Sequence, residues 1–73
     1  MKNIPLTLKS ARKLKTGDRL ICITSGIYKN FNIIHGSIYL FERLTPSHRI
    51  VLQGQSCEWF LHRFAVKHKM KVG

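Results

Sequence analysis

Arg19-Leu20-Ile21-Cys22-Ile23-Thr24 is the stretch that decides the fold. Ile21, Ile23 and Thr24 are β-branched, and such side chains pack well on a pleated surface and poorly in a helix. Turn signals bound the run on both sides. Thr16-Gly17-Asp18 precedes it, with Gly17 able to take the left-handed backbone and Asp18 able to bond neighbouring amides. Ser25-Gly26 follows it, so the sequence reads as one strand between two turns.

Working downstream, Gly36 punctuates the chain and Ser37 to Leu44 alternates well enough to form a second strand. Thr45-Pro46-Ser47 is a turn, His48 to Gln53 a third strand, and Gly54-Gln55-Ser56 another turn. Cys57 to Val66 fits either a helical turn capped by Ser56 or a short final strand. Between the first two strands, Ile27 to His35 mixes Tyr28, Phe31, Ile33 and Ile34 with two asparagines, as a long loop tied down by its aromatics would. Upstream, Leu6 to Lys15 is ambiguous: Leu6 and Leu8 alternate as on a strand, whereas Ala11 and Leu14 are spaced as on a helix.

Short strands separated by turns, with no long segment of helical period, predict a mainly β fold. The expected form is a small curved antiparallel sheet or barrel, with room for one short helical turn near Ser56-Phe64. Residues 1–5 are expected as a flexible lead-in, 6–66 as a single small β-barrel domain, and 67–73 as a basic flexible tail.

At 73 residues the chain has room for one domain, since a body of this size buries only about 60% of its unfolded surface. Its apolar fraction of 44% is that of a chain that folds. Thirteen Lys and Arg face three acids, Asp18, Glu42 and Glu58, giving a net charge of +10. A charge of this size governs association more than fold, and it attracts phosphate backbones, acidic protein grooves and anionic membranes alike. No run of about eighteen apolar residues is present to span a bilayer, and the strand pattern lacks the long amphipathic helix of membrane-active peptides, so no membrane partner is expected. Cys22 and Cys57 lie in apolar stretches, where a free thiol behaves as a small buried hydrophobe; without a secretory signal before them, a reducing intracellular setting is expected.

No catalytic constellation is visible. The three carboxylates are far apart in sequence, and Asp18 has a turn to hold. The two cysteines and the scattered His35, His48, His62 and His68 lack the short spacings of a zinc site, and no phosphate-binding glycine loop occurs. Neither a metal nor a cofactor is expected. Two features remain as binding candidates. The basic residues gather at both ends, Lys9, Arg12, Lys13, Lys15 and Arg19 before the first strand and Arg63, Lys67, Lys69 and Lys71 after the last. These groups merge into one patch if the ends of the domain lie together. Tyr28 and Phe31 are candidates for stacking on RNA bases, whereas Trp59, Phe60 and Phe64 are expected inside, because so small a core needs its large apolar residues.

Gly17-Asp18-Arg19-Leu20-Ile21-Cys22-Ile23, then Gly36-Ser37-Ile38-Tyr39, then Trp59 followed by Arg63-Phe64, resembles a pattern of small phage-encoded proteins with a barrel of the Src-homology-3 type. In that pattern the Gly-Asp turn opens a first long strand, Gly-x-x-Tyr opens the next, and Trp with Arg-Phe closes the barrel. The resemblance spans about Lys15 to Val66. With its length, basicity and Leu6 to Arg19 segment, the chain is also similar to phage transcription regulators that bind host RNA polymerase. That resemblance implies displacement of the σ factor, suppression of intrinsic termination near the RNA exit channel, and residence in the host bacterial cytoplasm. It implies a partner-binding protein and not an enzyme, expected as a monomer, with bacterial RNA polymerase as partner and the backbone of nascent RNA or DNA as a further contact. The alternative is a small barrel that binds RNA or DNA directly through its basic patch.

Overall fold

A computed structural model describes residues 4–66, and the fold is mainly β. A short helix α1 (Leu8–Ala11) precedes seven strands: β1 (Arg19–Cys22), β2 (Gly26–Tyr28), β3 (Phe31–Ile33), β4 (Ile38–Leu44), β5 (Ile50–Leu52), β6 (Glu58–Trp59) and β7 (Phe64–Val66). A 3-10 turn, Leu61–Arg63, leads into β7. Five strands form an antiparallel sheet in the order β6-β5-β4-β1-β7, and β2 pairs with β3 as a separate hairpin. Of the two forms expected, the open sheet is the one these ladders draw: β6 and β7 are its outer strands.

β1 sits fourth in that order, next to the outer strand β7. β1 is laddered to β4 on one side and β7 on the other, and Leu20 and Cys22 are its core-facing residues. The turn before it is built as its sequence implies: Asp18 Oδ2 accepts from the Lys15 N–H at 2.8 Å, and Gly17 takes φ 96°. β4 serves two ladders, its first half to β1 and its second to β5, with a bulge between Phe41 and Arg43. An extra residue in one strand bends it, so the bulge turns the second half of the sheet away from the first. One core fills the space, drawing Leu20, Cys22 and Phe64 from one half and Ile50, Leu52 and Trp59 from the other, with Phe41 and Ile33 between them.

Three expectations change. Ile27 to His35 is not simply a loop: Gly26–Tyr28 and Phe31–Ile33 pair around Lys29-Asn30, and Ile33 joins the core. Two-residue hairpin turns place a left-handed residue, usually Gly, at their centre; here Lys29 takes that role at φ 54°, which hides the turn from sequence. Cys57 to Val66 holds both of the alternatives expected there, the short helical turn as the 3-10 turn Leu61–Arg63 and the final strand as β7, with β6 before them; Ser56 does not cap the turn. The lead-in is not loose at Pro5, which bridges to Ala65, while the Leu6 N–H donates to the Phe64 carbonyl at 2.8 Å.

The ambiguous Leu6 to Lys15 segment is resolved by capping. Thr7 is the N-cap of α1, its Oγ1 accepting from the Ser10 N–H while Ser10 Oγ accepts from the Thr7 N–H. This reciprocal pair satisfies donors that a helix start leaves open, and Ala11 is the residue the helix buries. Both cysteines are free and buried, as expected of small core hydrophobes. Burial pushes the thiols of Cys22 and Cys57 above their ordinary range.

Candidate functional site

The basic surface starts from α1. Burying Ala11 and half-burying Leu8 and Leu14 turns one side of this segment inward and leaves the other for charge. Lys9, Arg12 and Lys13 are spaced by three and four residues, which puts them on one face of the helix and the turn that continues it, where Lys13 and Leu14 donate to the Ser10 and Ala11 carbonyls. Lys15 and Arg19 follow, and all five side chains are exposed. Asp18, the acid in this neighbourhood, is engaged with the Lys15 amide.

The ends of the domain do meet. Pro5 and Leu6 lie along Ala65 and Phe64, and Val66 lines the same shallow cleft as Lys9, Lys13 and Asp18. Lys67, Lys69 and Lys71 lie outside the described residues. Arg63 is already engaged. Its Nη1 donates to the Ser25 carbonyl at 2.7 Å, and its guanidinium fills the space where a side chain at residue 26 would stand, so Gly26 is the residue that admits it. That cation is a brace between the 3-10 turn and the start of β2.

A second feature lies at the tip of the hairpin, where a groove of about 430 Å³ is lined by Tyr28, Lys29, Phe31, Arg49, Glu58 and Phe60 among others. Phe31 packs its ring partly against the core, while Tyr28 is 49% exposed with Lys29 Nζ 5.4 Å from its ring centre. Phe60, expected inside, is 48% exposed. The register explains the correction. Ile50 pairs with Trp59 and both are buried; Arg49 and Phe60, the residues just beyond that last pair, are both exposed and in contact. The Arg49 guanidinium sits 4.8 Å above the Phe60 ring, which also stacks with His62 at 5.6 Å and 18°. Period-two alternation about Trp59 was the signal in the sequence that could have found Phe60; the unbroken apolar run masked it.

Trp59 and Phe64 are core residues as expected. The Trp59 Nε1–H donates to Gln55 Oε1 at 2.7 Å, and Phe64 meets the Tyr39 ring edge to face at 6.2 Å. Among the described residues no group of three or more His, Cys, Asp and Glu could hold a metal ion, and no helix is long and apolar enough to cross a membrane. No family model, curated protein or solved structure matches the chain.

Proposed function

We propose that the chain is a phage-encoded transcription regulator that binds host bacterial RNA polymerase, inhibits initiation by displacing the σ factor, and suppresses intrinsic termination near the RNA exit channel. The observation that carries this reading is the exposed basic surface around α1, where Lys9, Arg12, Lys13, Lys15 and Arg19 share a neighbourhood with one acid that is already engaged. A cluster of this sign suits an acidic protein face, steers the encounter and fixes its orientation.

The order of the elements supports the same reading. The Gly17-Asp18 turn opens β1, Gly36 to Tyr39 leads into β4, and the run from Trp59 through Arg63 enters β7, the order in which the resembled Src-homology-3 pattern uses these motifs. Action is steric. A body seated where the σ factor docks excludes it by mass action, and one seated beside the exit channel leaves a terminator hairpin less room to grow. No catalytic group takes part.

Pull-down with purified bacterial RNA polymerase tests the proposal. The wild-type chain should recover the enzyme at moderate salt, and the double variant Arg12→Glu, Lys13→Glu should lose it while keeping its β circular dichroism. Absence of a wild-type complex at moderate salt would sink the proposal.

A further inference from the structure

We infer that the groove between the hairpin tip and β6 takes single-stranded RNA, with Tyr28 and Phe60 as stacking surfaces and Lys29 and Arg49 as phosphate or base-plane contacts. The groove is distinct from the α1 surface and uses different elements: the turn of β2-β3, the residue before β5 and the residue after β6.

Four observations converge on it. Two aromatic rings are half-exposed where a small core has every reason to bury them. Each carries a cation over its ring, Lys29 on Tyr28 and Arg49 on Phe60. Unpaired bases are held in this way, on aromatic faces and guanidinium planes beside charges that follow the backbone. Lys29 occupies a left-handed position that a glycine would fill without strain, which keeps a cation at the tip. Finally, the groove has two cations to the single acid Glu58, within a chain of net charge +10.

An aromatic-lined groove is also how proline-rich peptides are held. The charge decides against it here, because phosphate is drawn to this field and a neutral or basic peptide gains nothing from it. The choice of RNA over DNA rests on the proposed function: beside an exit channel, the passing single strand is the transcript.

Fluorescence anisotropy of the full chain with labelled oligo(U) and oligo(dT), over a series of salt concentrations, tests the inference without polymerase. The double variant Tyr28→Ala, Phe60→Ala should bind oligo(U) about tenfold or more weakly at every salt concentration, with the salt slope unchanged, since it removes stacking and leaves charge. Lys29→Gln should instead reduce the magnitude of that slope by about 0.7. Equal binding by wild type and double variant overturns the groove, as does oligo(dT) held more tightly than oligo(U), or a proline-rich peptide that binds there while oligo(U) does not. Chemical-shift mapping on the wild type needs no variant to fold: oligo(U) should move Tyr28, Lys29 and Phe60, and shifts confined to Lys9 through Lys15 overturn the inference. Polymerase pull-down with Tyr28→Ala, Phe60→Ala should be unimpaired. Failure of the groove therefore leaves that result standing, and failure of the polymerase reading leaves oligo(U) binding intact.

Discussion

Two phenylalanines four residues apart are expected to respond to the same truncation in opposite ways. Phe64 is fully buried between β1 and the Tyr39 ring, so Phe64→Ala removes a core side chain and leaves a cavity, a loss of about 3–5 kcal/mol. Against this, a chain of 73 residues has a total stability of about 4–11 kcal/mol, taken at 0.05–0.15 per residue. At roughly 4–8 °C per kcal/mol for a domain of this size, the midpoint should fall by about 12–40 °C, leaving much of the variant unfolded at ordinary temperature. Phe60→Ala forfeits the exposed guanidinium contact and the stack on His62, together worth about 1–2 kcal/mol. Its midpoint should move by about 4–16 °C. Thermal melts followed by circular dichroism, with urea titrations for the free energies, measure both. Equal losses would place Phe60 in the core and abolish the groove; a Phe64→Ala loss below about 1 kcal/mol would contradict the β1-β7 register.

The remaining predictions follow from charge, backbone and burial. Arg12→Glu with Lys13→Glu should abolish polymerase recovery with melting unchanged, because both side chains are exposed. His48 takes φ 64° after the Thr45-Pro46-Ser47 turn, held by its N–H to the Thr45 carbonyl at 2.9 Å. Thus His48→Gly should be neutral or stabilising while His48→Val costs about 1–2 kcal/mol, and the reverse ranking in urea would refute the turn geometry. Because burial raises the Cys22 and Cys57 thiols, the folded chain keeps those protons to higher pH than the unfolded one. Their contribution is complete below the ordinary thiol value and is lost as pH rises through the raised ones; unfolding titrations should show this alkaline loss shrinking in the variant Cys22→Ala, Cys57→Ala.

How far the sequence disclosed this depends on where one residue dominates its neighbours. β1, β4 and β5 were legible because β-branched or alternating residues are set off by Gly17, Gly36, Pro46 and Gly54. The β2-β3 hairpin was not, since Lys29 stands where Gly would have announced the turn. Local pattern also could not choose between helix and strand for Leu6 to Lys15; the Thr7-Ser10 capping pair, in which each side chain accepts from the other's backbone N–H, made the choice. For the candidate surfaces, Lys9 to Arg19 could be found by charge alone, but Arg63 is committed to Ser25 by a fold-level contact that spacing does not reveal. Arg49 and Phe60 meet only through the β5-β6 register, so half of the groove was invisible until the strands were paired.

The bulge in β4 has a mechanical consequence. β4 is common to both ladders and the bulge bends it, so the segment bearing α1 and the segment bearing the groove are two arms of one bracket. A partner held at one arm then presents the other arm at a fixed distance and angle, and the second encounter becomes intramolecular. Tethering of that kind supplies local concentrations on the order of mM, so a groove too weak to retain a free oligonucleotide in the cell would still retain a strand delivered to it.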